Sequence, residues 1–196
     1  MTFTLLRTAE NSFNTFAPGE YEKVDGILLA FDQFGDLDVV AGIAEAVSRP
    51  KGAKVYMVAN DKQKPAAERA FQKAGVNMGK VEWISESIDS VWIRDYGPRF
   101  ICDSDFEGVS VRAAVDTFYY SKRLQDNNFP VKLGEPDKAP TFGHDNYSLN
   151  DEVLHSGGNR HYFSKNRVAF ASKLLLHDNM NLNEEVEGVE EALKKY

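Results

Sequence analysis

Nine consecutive residues, Ser90-Val91-Trp92-Ile93-Arg94-Asp95-Tyr96-Gly97-Pro98, bring an indole, a guanidinium, a carboxylate and a Gly-Pro break into one short stretch. An indole face attracts a cation, and a carboxylate can accept the two parallel N–H donors of a guanidinium fork. Gly97-Pro98 fixes a tight exit from the segment. These residue types at this spacing suit a planar cation held by Trp92 and Asp95. They equally fit a structural arrangement in which Arg94 and Asp95 pair with other residues of the fold and Trp92 is ordinary core.

Other groups with chemical potential are sparse. Cys102 is the only cysteine, so no internal disulfide and no zinc site built from several thiolates can form. It follows Asp95 by seven residues, in the strand expected to leave the motif, and reads as a small buried thiol rather than a nucleophile. His144-Asp145 lies in a polar loop. His155, His161 and His177 are scattered singly, a distribution more often structural than catalytic.

The elements that must position the motif are legible from periodicity. Val24 to Asp32 is an apolar run bounded by turn formers, as expected of a strand buried on both faces. Asp36 is placed to cap a helix whose apolar positions Leu37, Val40, Ala41, Ala44 and Val47 recur at helical spacing until Arg49-Pro50. Lys54 to Ala59 reads as a second strand. Pro65 opens and Gly75 closes a second helix with Ala67, Phe71 and Ala74 on one face, and Val81 to Ile84 returns to a strand. The motif therefore follows the third strand of a β-α-β-α-β series.

Downstream, Gly108 to Tyr119 alternates as a half-buried strand does. Tyr120 to Asp151 is rich in Asn, Asp, Pro and Gly and reads as a long loop, and Val168 to Leu176 as another strand. A last helix is expected from Asn181, with Leu182, Val186, Val189 and Leu193 as its stripe. A strand–helix series normally returns to a strand, so the expected architecture looks cut short at Tyr196.

The segment Val91-Trp92-Ile93-Arg94-Asp95-Tyr96-Gly97-Pro98 resembles the hallmark of the bacterial peptidylarginine deiminase and agmatine deiminase family. Pro18-Gly19-Glu20-Tyr21 through Leu28, Val115-Asp116 and Gly157-Gly158-Asn159 are similar to further family stretches in the same order. The resemblance implies an α/β fold of the pentein type, a pseudo-fivefold ring of which this chain holds roughly half. It implies one partial deiminase-like domain over residues 1–196, cut short before the family's catalytic residues.

In the implied reaction two acids grip a guanidinium, a cysteine thiolate attacks its central carbon, a histidine protonates the departing ammonia, and water releases the ureido product. No cofactor and no metal are needed for that chemistry. By motif, Asp95 matches the first acid and Trp92 the aromatic beside the guanidinium, while Arg94 serves the turn itself. The family's His-x-Asp motif lies downstream of the paired glycines and their helix, and its cysteine later still; neither has a match here. Ser156 stands where agmatine deiminases carry Glu before the paired glycines, which favours the peptidylarginine branch. Arg123 matches a loop arginine that receives a peptide's C-terminal carboxylate in that branch, and Gly158 and Asn159 are further substrate-contact candidates. Read from the residues alone, Lys122 and Arg123 are equally an exposed basic pair, and Gly157-Gly158 a plain turn.

The implied activity is conversion of peptide arginine to citrulline, with an agmatine substrate, or a non-catalytic guanidinium-binding module or truncated remnant, as alternatives. The net charge of −7, from 30 acids and 23 bases, argues against nucleic acid and anionic membranes as partners. The expected partners are a small-molecule or peptide guanidinium and further copies of the chain, associating through strand edges that half a ring leaves exposed. With no apolar leader and no stretch near the ~18 apolar residues of a spanning helix, a cytoplasmic location is expected.

Overall fold

The computed structural model describes residues 3–7, 15–32, 35–49, 51–105, 108–117, 119–120, 122–133, 148–151, 158, 160–162 and 168–180. Two short strands, β1 (Phe3–Arg7) and β2 (Thr15–Phe16), precede the first α/β series. The chain divides into two compact units, one of Lys23–Ile93 with Arg123–Asp126, the other of Met1–Glu22, Arg94–Lys122 and Asn127–Tyr196.

The first of these units is the expected β-α-β-α-β series: β3 (Gly26–Ala30), α1 (Leu37–Ser48), β4 (Lys54–Val58), α2 (Lys64–Ala74) and β5 (Val81–Ile84). Its strands form a parallel sheet in the order β3-β4-β5, with Ala30 opposite Val58 and Val58 opposite Ile84. Asp36 caps α1, its carboxylate accepting the N–H groups of Asp38 (3.0 Å) and Val39 (3.3 Å), which would otherwise lack intrahelical partners. Gly75 ends α2 at φ 81°, a left-handed conformation that costs glycine nothing, and its N–H returns to the last-turn carbonyls.

Leu29, Ala41, Ala44, Val55, Met57, Ala67, Phe71 and Val76 make the core of this unit. Phe71 is fully buried, with its ring 5.8 Å from that of Trp83. Its truncation to alanine would cost about 3–5 kcal/mol, a large part of the roughly 5–15 kcal/mol that holds an ordinary protein folded.

The other unit holds two sheets. In one, β6 (Arg99–Asp105) pairs antiparallel with β2 and with β7 (Gly108–Thr117), the register shifting between Ile101 and Cys102, and β7 pairs in parallel with β8 (Ser148–Asp151). In the other, β10 (Val168–Ser172) lies antiparallel between β1 and β9 (Arg160–Tyr162). A single 3-10 turn, Met78–Lys80, lies between α2 and β5, and three further α-helices complete the described elements: α3 (Ile93–Tyr96), α4 (Leu124–Leu133) and α5 (Lys173–Met180).

Two expectations need correction. The stretch from Tyr120 to Asp151 is not wholly loop, since it contains α4 and β8. Pro130 sits inside α4, where it removes a backbone donor, and this made the segment look non-helical. The strand expected to run to Leu176 ends at Ser172, and Lys173 onward is helical. The helix expected from Asn181 lies outside the described residues.

Candidate functional site

The chain leaves β5 at Ile84 and reaches the motif through residues 85–89, at the carboxyl end of a parallel strand, where open α/β sheets commonly bind ligands. The turn after β3 lies against this segment. Asp32, 6 % exposed, accepts the N–H of Gly35 at 2.7 Å, and a β-carbon on Gly35 would collide with the side chain of Val91. Glycine is thus required there by close approach rather than by backbone conformation.

Asp126, in the first turn of α4, is fully buried. One carboxylate oxygen accepts the N–H groups of Asp89 (2.8 Å) and Ser90 (3.2 Å), and the other accepts the Ser90 hydroxyl (2.7 Å). Asp89 answers by accepting the N–H of Gln125 at 2.8 Å, satisfying an early donor of α4. Arg123, half-buried, directs Nη1 to the Ser90 hydroxyl at 3.4 Å. Burial pushes the Asp126 carboxyl above its ordinary range, against the hydrogen bonds from Ser90 and the backbone of Asp89 and Ser90, which favour the ionised form. The resulting contact chain runs Arg123 to Ser90 to Asp126.

Trp92, two residues on from Ser90, is 57 % exposed, so it is not core. Its indole is presented to solvent with an apolar face available to a cation.

Asp95 lies on the single turn α3, half-buried, with Tyr119 donating its hydroxyl to Oδ2 at 3.4 Å. The turn is braced by the fully buried Tyr96, whose ring meets Phe129 edge-on at 6.0 Å and Tyr119 at 5.9 Å. Asn127 fixes the Tyr119–Tyr120 backbone from both sides, accepting the N–H of Tyr119 (2.7 Å) and donating to the carbonyl of Tyr120 (2.6 Å). Arg94 forms an exposed ion pair with Glu20.

Cys102 is buried in β6, as its surroundings in the sequence implied. Burial, and then the nearby negative charge of Glu22, push its thiol up, away from the thiolate a nucleophile requires. Gly158 is exposed. Gly157, Asn159, His144, Asp145 and His155 lie outside the described residues, as does the side chain of His161, while His177 is exposed on α5. Among the described residues no group of three or more His, Cys, Asp or Glu is placed to hold a metal ion, and no helix is long and apolar enough to cross a membrane.

The structure thus brings Arg123 to Ser90, two residues from Trp92, and gives Asp95 a tyrosine partner. Asp126 and Asn127 are supporting residues that the sequence did not single out. Asp126, an acid in the first turn of α4, was the available helix-start signal, which Pro130 masked.

The chain is 26% identical over 195 residues to a Listeria monocytogenes protein named "Putative agmatine deiminase 2", a match covering 91% of this chain and 49% of that protein. A solved structure of a "putative agmatine deiminase" superposes with a TM-score of 0.59 at 20% identity, covering 80% of this chain and 45% of that one. The C. jejuni agmatine deiminase superposes with a TM-score of 0.56 at 17% identity, covering 76% of this chain and 43% of that one. The fold is therefore the α/β fold that these enzymes share, and the chain spans about half the length of the relatives it matches. The Porphyromonas-type peptidyl-arginine deiminase family matches residues 16–196, nearly the whole chain. The chain belongs to that family.

Proposed function

We propose that this chain is the guanidinium-recognising portion of a deiminase acting on arginine at a peptide C-terminus, the overall reaction giving citrulline and ammonia. The β3-α1-β4-α2-β5 series is, in this reading, one α/β unit of an incomplete pentein ring. Asp95 is the acid that grips the guanidinium, Trp92 the aromatic beside it, and Arg123 the cation that receives the peptide carboxylate. Gly158 and Asn159 supply further substrate contacts. The observation that carries the reading is Asp95 itself: a half-buried carboxylate on a helical turn braced by a buried aromatic cluster, within the family's hallmark segment. Such a carboxylate is desolvated enough to favour a paired guanidinium and exposed enough to meet one.

Deimination also needs a thiolate and a proton donor. Cys102 is a poor thiolate where it stands, so the chain by itself is expected to bind the guanidinium without turning it over. Ammonia and citrulline are measured from a peptide ending in arginine and from agmatine, with wild type, Asp95→Asn and Cys102→Ser. The expected result is no product in any case. Product from wild type that disappears in both variants would make Cys102 the nucleophile and overturn the assignment of a binding role.

A second substrate is favoured by one finding, the agmatine deiminase names of the relatives. Calorimetric titration separates the two. The peptide is expected to bind at least about tenfold more tightly than agmatine, because only the peptide offers a carboxylate to Arg123. Tighter binding of agmatine would move the assignment to that amine.

A further inference from the structure

Asp126 and Ser90 take no part in the chemistry proposed above, yet they are among the most thoroughly buried polar groups described, at 0 % and 5 % exposure. A buried carboxylate is costly unless hydrogen-bonded, and here three donors reach it, all from Asp89 and Ser90. The bonds run in both directions: Asp126 holds the backbone of residues 89–90, and Asp89 holds the N–H of Gln125. Two segments separated by more than thirty residues in the chain are thereby tied at both ends of a short contact.

These segments carry two of the proposed recognition groups, the exposed Trp92 and the half-buried Arg123. Trp92 stands two residues after Ser90 on one of them, and Arg123 three residues before Asp126 on the other. Arg123 is joined to the same contact directly, through the Ser90 hydroxyl that also donates to Asp126. A hydroxyl that accepts from a guanidinium while donating to a carboxylate is polarised by both, so the three side chains hold one another's orientation.

We propose that Asp126, acting with Ser90 and Asp89, is a positioning residue: a reciprocal carboxylate latch that presents Trp92 and Arg123 as one pre-organised recognition surface. The latch itself rests on the hydrogen bonds that join Asp126, Ser90, Asp89 and Gln125; only the ligand that Trp92 and Arg123 meet rests on the function proposed above. Without the latch, Asp89 and Ser90 lose the bonds that fix their backbone at the entry to the motif, and the Ser90 hydroxyl that meets Arg123 loses its carboxylate acceptor. Ligand binding would then have to include the ordering of both segments.

The two indoles of the chain permit a direct test, because Trp83 packs against the apolar core and Trp92 follows the latched residues. Protein labelled with 5-fluorotryptophan gives two fluorine resonances, assigned with Trp92→Phe. Asp126→Ala and Ser90→Ala are expected to shift or broaden the Trp92 resonance and leave that of Trp83 in place. Asp126→Asn is expected to restore the Trp92 resonance, since its amide oxygen still accepts the two backbone N–H groups. A Trp92 resonance unmoved in both alanine variants would overturn the proposal. So would loss of both resonances together even in Ser90→Ala, which would make the contact a general support of the fold.

The same variants are titrated with a peptide ending in arginine. Asp126→Ala is expected to weaken binding about tenfold and Asp126→Asn to recover most of it. If wild type does not bind the peptide, the functional assignment fails while the fluorine result still decides the latch.

Discussion

Asp126 and Asp95 carry the same side chain in two contrasting settings. Asp126 is sealed from solvent and receives three donors from residues 89–90. Asp95 is half-buried on α3, its Oδ2 meeting a tyrosine hydroxyl at the long distance of 3.4 Å. The first carboxylate is committed to holding backbone in place, and the second stands where a ligand can reach it. A buried acid outside the motif thus holds the backbone of Asp89 and Ser90, at the entry to the motif.

The largest expected effect bears on these two carboxylates. Asp126→Ala strands the buried N–H and hydroxyl of Ser90 and releases the partly buried N–H of Asp89, so it should cost about 3 kcal/mol. By thermal unfolding that is a fall of roughly 6–12 °C for a chain of this size. Asp95→Asn should lower the midpoint by no more than about 2 °C, because the residue is partly exposed and its amide can still accept from Tyr119. Equal losses from the two substitutions would erase the distinction.

A smaller effect appears with pH. Burial raises the Asp126 carboxyl above its ordinary value of 3.8. The folded state therefore holds this proton more tightly than the unfolded chain, and the group's contribution to stability is present below the ordinary carboxylate value and lost as pH rises through the raised one. Measured against Asp126→Asn, which cannot ionise, wild type should lose relative stability over that interval and level off above it. A difference that grows with pH would mean that hydrogen bonding outweighs burial.

The smallest effect belongs to the ion pair between Arg94 and Glu20, whose side chains are 53% and 60% exposed. Glu20→Gln should move the unfolding midpoint by no more than about 1–2 °C, and less in high salt. A larger loss would mean that the motif turn leans on this pair as residues 89–90 lean on Asp126.

Much of this arrangement was legible in the sequence where a local signal existed. Asp36, Pro65 and Gly75 marked helix ends that the structure places within a residue or so, because capping and left-handed termini depend on the residue itself. Cys102 read as a buried thiol, and it is one. The motif segment stood out by composition. What stayed hidden was set by partners distant in the chain. Nothing near Asp126 reveals that it meets Ser90, thirty-six residues earlier, and Pro130 disguised the helix that delivers it. The exposure of Trp92 was equally out of reach, since an indole's type is compatible with core and surface alike.

The central claim is that Asp95 recognises a guanidinium, and calorimetric titration of wild type and Asp95→Asn with a peptide ending in arginine tests it most directly. Saturable binding by wild type, weakened at least about a hundredfold in Asp95→Asn while the unfolding midpoints stay together, is the predicted result. Binding of equal strength to both proteins would contradict it.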